Sequence, residues 1–311
     1  MLRFIVQRVI FSIISLFIIV SATFFLMKAV PGNPISNEND DIPQEILEAM
    51  LDHYGLNDPL HIQYVNYLKS VVTWDLGPSY TYKGTTVNEI INSGFPVSFI
   101  LGMTALVIGV SGGLILGIVS ALNHNRMPDY MAMIVAVIGI SVPNFILAAL
   151  LQYVFAIKLG WLPVAKWGSP NQIILPSLAL AALPLAFVAR LTRSSMLEVL
   201  SENYIKTAKS KGIKQSVITV KHALRNAILP VITYIGPLAV SILTGTFVIE
   251  KIFGIPGLGS HFVMSIMNRD YTVIMGTAVF YSVLLLGVIL LVDLSYGIID
   301  PRIKFSNKKE R

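Results

Sequence analysis

The sequence predicts an all-α polytopic membrane protein with six transmembrane helices and both termini on the cytoplasmic side. Three observations carry this. The 311-residue chain is 54% hydrophobic and 13% charged, with mean hydropathy +0.71, whereas a soluble domain has about 25% charged residues. Six stretches reach the ~20 apolar residues that a spanning helix needs. Sixteen of the 23 Lys and Arg residues fall in the segments that an inside N-terminus assigns to the cytoplasm, as the positive-inside rule requires.

The spans read as Val9–Val30, Val97–Leu122, Tyr130–Ile157, Ile173–Ala189, Leu229–Ile249 and Thr272–Val292, the last five free of Asp, Glu, Lys and Arg. Arg3 and Arg8 precede the first. Its apolar run exceeds the ~7–15 residues of a signal core and no small-x-small cleavage site follows, so it is read as an uncleaved anchor. The inner segments are then Met1–Arg8, Asn123–Asp129, Arg190–Ile228 and Asp293–Arg311. Pro31–Pro96 is the long outer segment, with nine acidic residues against two lysines, read as a solvated face or a docking surface. Within it, Pro43–Tyr54 reads as a short amphipathic helix ending at Gly55. The chain thus divides into an anchor helix and outer region (1–96), a five-helix core (97–300) carrying the inner loop 190–228, and a cytoplasmic tail (301–311).

This distribution accounts for the net charge of +6 and argues against a nucleic-acid partner; membrane lipids are the expected surroundings. The absence of cysteine excludes disulfides, thiol chemistry and cysteine metal sites. The five histidines, His53, His61, His124, His222 and His261, lack metal-ligand spacing, so no metal site is expected.

The neutral polar residues within the spans include Asn144, Gln152, Ser241 and Thr244. They read either as helix–helix hydrogen bonding or, with Pro143, as the lining of a translocation path. Pro143, Pro176, Pro184 and Pro237 interrupt spans, where proline removes a backbone donor and bends the helix. No Asp, Glu or His lies centrally in a span, which counts against a proton-driven relay. "FGIPGLGSH", Phe253–His261, lacks the preceding strand and the lysine of a phosphate loop. It reads as a turn or re-entrant element at an outer gate, with Glu250, Pro256, Gly257 and Gly259; Glu250 and Arg269–Asp270 flank it as an exposed pair.

The inner loop 190–228 is basic and helical. Met196, Leu197, Leu200, Tyr204 and Ala208 recur at helical spacing. Gly212 stands where that helix would stop, because glycine takes the left-handed cap conformation without penalty. A second helix runs from about Lys214 to Asn226, with Val217, Val220, His222, Leu224 and Ala227 as its less polar positions. Lys206, Lys209, Lys211, Lys214 and Lys221 serve topology or anionic lipid, or flank a docking helix on which Ala208 and Gly212 share a small-residue face.

The loop resembles the cytoplasmic EAA loop of permease subunits of binding-protein-dependent ABC importers, which docks into a cleft on the ATPase subunit. Thr207, Ala208 and Gly212 match its small residues and glycine, and Lys209 lies between them. Lys206 stands in place of the general motif's glutamate. The later Ile-x-Leu-Pro falls at His222, Ala223, Leu224 and Arg225, so its proline is absent. That departure resembles the dipeptide and oligopeptide branch, as does "HALRNAILP", which contains Asn226. "YGLNDPLHIQY", "DLGPSY", "SVPNF", "LGWLP", "ARLTRSSMLEVL", "EKIFGIPGLG", "RDY" and "DPR" follow in family order, so the resemblance covers nearly the whole chain.

The resemblance implies a type I ABC importer fold and a non-catalytic permease subunit for short peptides. Thr207, Ala208, Lys209, Gly212, His222, Arg225 and Asn226 would form the coupling loop. It implies no cofactor on this chain, with ATP and magnesium on partner subunits; the sequence has no GxxxxGK[ST] loop. The implied partners are a second, homologous permease subunit, two ATP-binding subunits and an extracytoplasmic substrate-binding protein, in a prokaryotic plasma membrane. Import of nickel or another metal chelate by the same architecture is the related alternative. A stand-alone secondary transporter or channel is the alternative of a different class.

Overall fold

The computed structural model describes residues 2–31, 43–244 and 246–299, with side chains apart from those of 2–4, 240, 243, 244 and 293–299. Glu38, Asp40, Asp41 and the tail 301–311 lie outside the described residues, and the Thr244 and Asp293 side chains outside the described side chains. Helices dominate; among the described residues the extended pairing is a single antiparallel bridge, Pro78 to Thr86. The chain forms two compact units, Met1–Pro96 with Gly257–Arg311, and Val97–Pro256. The last two helices, within Gly257–Arg311, thus lie in the same unit as the N-terminal region.

In the first unit, α1 (Leu2–Ala29) packs along α14 (Tyr271–Ile299). α1 carries exposed Phe11, Phe17, Ile18 and Leu26, as expected of a helix bathed in lipid. Towards its C-terminal end it meets α3 (Leu60–Thr73), where Phe24 stacks on Tyr67 and Ser21 shares a 2.6 Å hydrogen bond with the Tyr64 hydroxyl. The amphipathic helix expected after Pro43 is present as α2 (Gln44–His53), and Gly55 follows at φ +64°.

Asp270 organises this unit and is fully buried. One carboxylate oxygen accepts from the Thr272 hydroxyl and the Val273 N–H at the start of α14; the other accepts from the Ser79 hydroxyl and the Thr81 N–H. It caps a helix whose first N–H groups have no internal partner and fastens the 78–86 loop to it. Glu250 is also fully buried, so the reading of Glu250 and Asp270 as exposed is corrected.

In the second unit the central element is α7 (Pro170–Ser201), begun by a Ser169–Gln172 capping box with Pro170 in its first turn. At 1.5 Å per residue its 32 residues span about 48 Å, more than the ~30 Å hydrocarbon core. It runs beyond the expected end at Ala189 and carries Arg190 and Arg193 on its extension. The second half of α4 (Val87–Leu122) lies on it through Gly109, Gly113 and Gly117, spaced by four. A Cβ at Gly113 would fall 2.7 Å from the Leu185 carbonyl, and one at Gly117 2.7 Å from that of Ala189. This is the small-xxx-small contact that packs helices where lipid supplies no hydrophobic drive.

The third expected span is a correction. It is broken into α5 (Met127–Ser141) and α6 (Asn144–Leu151), the latter continued by π-helical Gln152–Lys158, with a bend of 110°. Val142 is extended (φ −90°, ψ 119°), because proline disfavours the helical region for the residue before it. The fifth expected span also differs: α11 covers Leu229–Thr244, and separate short helices α12 (Phe247–Phe253) and α13 (Leu258–Met267) follow. Among the described residues four helices are long and apolar enough to cross a membrane, and two interrupted pairs bring the total to as many as six.

Candidate coupling site

The basic segment after α7 packs on a core that it shares with the ends of α4 and α7. Glu202 (φ −66°, ψ 148°) breaks the helix, so the continuous helix expected from Met196 to Ala208 is in fact the end of α7 followed by α8 (Asn203–Ser210). Gly212 then turns the chain at φ +74°. Its N–H donates to the Lys209 carbonyl at 3.0 Å, and the Ile213 N–H to the Ala208 carbonyl at 3.3 Å. These are the two bonds of a Schellman stop, and Ile213 packs back on the core as that motif favours.

The second helix follows as α9 (Gln215–Val217), a π-helical turn Ile218–Leu224 and α10 (Arg225–Ala227). The core beneath comprises Ala121, Met196, Ile205, Ala208, Ile218, Ala223 and Ala227. Two expectations are corrected here. Ala208 is only 7% exposed and packs inward, so it does not offer a small face to a partner. The buried stripe of the second helix is Ile218, Thr219, Ala223 and Ala227, while Val220 is 65% exposed. The sequence could not separate these because the π turn shifts the helical phase.

What faces outward is mixed. Lys206, Thr207, Lys209, Lys211, Lys214, Lys221 and Arg225 are exposed. Ser216, Val217, Val220, Lys221 and Arg225 line an open groove of about 540 Å³. Asn226 donates to the Tyr204 hydroxyl at 2.9 Å, tying the two helices together, and His222 is half-buried beside it. The coupling-loop residues read from sequence therefore lie on one packed helix pair: Ala208 is buried, His222 is half-buried, and Thr207, Lys209, Gly212, Arg225 and Asn226 are exposed.

The expected path residues are more dispersed. Exposed Pro143 and half-buried Asn144 sit at the α5–α6 break. The Gln152 amide donates to the carbonyls of Val164 (2.7 Å) and Ile252 (3.4 Å), bracing a loop and α12. Ser241 is exposed on α11. None of these lines the open 440 Å³ groove of Phe187, Arg190, Leu191 and Tyr234 on α7 and α11. At the expected gate, Glu250 accepts from the Ser98 and Thr246 hydroxyls, each at 2.6 Å. Pro256 and Gly257 form the turn into α13, on which Gly259 is buried. Among the described residues no His, Asp and Glu cluster could hold a metal.

One constellation escaped the sequence. Asp129, in the first turn of α5, is 2% exposed. Arg193 of α7 reaches it in parallel, Nε to Oδ1 at 2.7 Å and Nη2 to Oδ2 at 2.8 Å. The Ser120 hydroxyl also donates to Oδ1 and the Asn125 N–H donates to Oδ2. His124 Nδ1 lies 3.2 Å from Arg193 Nη2. Sixty-four positions separate the charged partners, so local spacing held no signal for the pair.

Residues 113–305 match the model of the binding-protein-dependent transport system inner membrane component, and residues 1–101 match its N-terminal companion. The chain belongs to this family. It is 54% identical to the dipeptide transport system permease protein DppB of Bacillus subtilis, over 99% of this chain and all of that one. It is 43% identical to the oligopeptide transport system permease protein OppB of Haemophilus influenzae, over 98% of this chain and all of the relative. Two solved structures share the fold: an amino acid ABC transporter (TM-score 0.53, 20% identity, 67% of this chain and 92% of that one) and an inward-facing MetNI methionine ABC transporter (TM-score 0.56, 17% identity, 68% and 96%). The chain is thus a multi-pass inner-membrane component of a binding-protein-dependent transport system.

Proposed function

We propose that this chain is a transmembrane permease subunit of an ABC importer for short peptides, with a type I importer fold and the segment 190–228 as its coupling element. The single observation that carries the coupling role is the Gly212-stopped helix pair, packed on a core that it shares with the ends of α4 and α7. It is basic on its surface and follows α7, whose length of about 48 Å exceeds the ~30 Å hydrocarbon core. Support for the substrate is the near full-length similarity to dipeptide and oligopeptide permeases.

In this reading six spans place both termini in the cytoplasm, with α5–α6 counted as one broken span. The anchor and outer region is 1–96, the permease core 97–300 and the tail 301–311. A second, homologous permease subunit completes a heterodimeric path. Two ATP-binding subunits carry ATP and magnesium and dock on the exposed face of Thr207, Lys209, Val220 and Arg225. An extracytoplasmic binding protein delivers the peptide. Pro143, Asn144, Gln152, Ser241 and Thr244 belong to or brace the path, and Glu250, Pro256, Gly257 and Gly259 its outer gate.

The test is reconstitution. The chain, its sister permease and the ATPase subunits, placed in proteoliposomes with the binding protein, are expected to take up labelled trialanine only with ATP. Uptake by this chain alone without ATPase, or uptake of nickel but not peptide, would contradict the reading.

A further inference from the structure

The Asp129–Arg193 pair lies at the root of the segment 190–228, away from the face read as its docking surface, and adjoins the segment's core on two sides. Ser120, which donates to Asp129, precedes Ala121 of that core, and Met196 of the core follows Arg193 by one helical turn. One nearly inaccessible carboxylate therefore joins the end of α4, the α4–α5 turn, the start of α5 and the root of the loop. The turn is shaped for this. Asn125 is left-handed (φ +60°), a conformation asparagine tolerates better than most residues, and that turn presents its N–H to Oδ2. Farther along α5, Gly139 lies against α7, where an added Cβ would be 2.7 Å from the Ala182 carbonyl. Beyond it comes the Pro143 break.

We propose that the Asp129–Arg193 pair is a transmission link: it makes α5, and through it the Pro143 bend, move with the coupling loop when the ATPase subunits close. This rests on the coupling role argued above and names the residues that carry motion from the loop toward the membrane. The chemistry suits the task. A planar guanidinium bound to a carboxylate by two parallel bonds resists both sliding and rotation, whereas an apolar contact of equal volume allows both. Burial reinforces this, because separating the partners would leave a charge uncompensated in a low-dielectric site.

The test uses the complete reconstituted transporter and reads labelled trialanine imported per ATP hydrolysed. The double variant Asp129→Leu/Arg193→Met removes both charges, so that neither is stranded. It is expected to assemble with the ATPase subunits and hydrolyse ATP within about twofold of the parent, while peptide imported per ATP falls at least about tenfold. Arg193→Lys keeps the charge but loses the parallel geometry and is expected to lower the ratio about two- to fivefold. Asp129→Glu, which keeps the carboxylate, should retain most of the parent ratio. A static brace would change expression or thermal stability and leave the ratio intact, so an unchanged ratio in both the double variant and Arg193→Lys overturns the proposal. If the double variant fails to assemble, Arg193→Lys alone decides. Failure of the underlying coupling reading looks different: the ATPase subunits would then fail to depend on loop 190–228 even in a chain whose Asp129 and Arg193 are intact.

Discussion

The N–H of Ile213 reaches back across Gly212 to the carbonyl of Ala208, 3.3 Å away. That bond closes the turn between the two helices of the basic segment, and it exists only because Gly212 is left-handed. A Cβ there would meet nothing within 4 Å, so space is not the constraint; the backbone conformation is.

Gly212→Val is therefore expected to cost about 1–2 kcal/mol in the local turn and to leave membrane insertion near normal. Recovery of the ATPase subunits should weaken and ATP-driven uptake should be lost. Gly212→Asn, which tolerates this region, should keep most of both. Co-purification with each variant, alongside uptake, checks the pair.

Ala208→Trp should act from the inside. Ala208 belongs to the core that holds Ile205, Ile218 and Ala223, and overpacking such a site costs about 1–3 kcal/mol. Limited proteolysis of the loop is the informative readout, with faster cleavage expected than in Thr207→Ala, whose side chain is exposed. Equal cleavage would mean that Ala208 is not part of a packed core.

The α4–α7 contact makes a separate prediction. Gly113→Leu places carbon 2.7 Å from the Leu185 carbonyl and should lower the thermal midpoint in detergent by several degrees, or abolish folded protein. Gly287→Ala is the control, because its added Cβ meets nothing within 4 Å. A control that destabilises as much as Gly113→Leu would refute the close-packing argument.

Asn144→Leu tests the path. Asn144 is half-buried in the first turn after the Pro143 break. The expected outcome is reduced peptide uptake with ATPase recovery intact; normal uptake would make Asn144 a packing residue.

Much of this architecture was legible in the sequence because lipid imposes a coarse rule, and runs such as Thr272–Val292 satisfy it plainly. Gly55 and Gly212 were legible as helix stops, since both need positive φ. Other features depend on tertiary context. A helix can outlast its apolar run, as α7 does beyond Ala189, when its polar end packs on something else. Ala208 looks the same in sequence whether it faces a partner or its own core. The burial of Glu250 depends on Ser98, 152 positions away, and that of Asp270 on Ser79, 191 away.

The central claim is that the outward face of the segment 190–228 meets the ATPase subunits. The chain contains no cysteine, so a single introduced thiol reports one position. In membranes carrying the whole transporter, Thr207→Cys and Val220→Cys are each expected to cross-link to an ATPase subunit, with a yield that changes on adding ATP. Val65→Cys on α3, 60% exposed, should give no such product. No ATPase cross-link from Thr207→Cys or Val220→Cys, in a transporter that still imports peptide, would contradict the account.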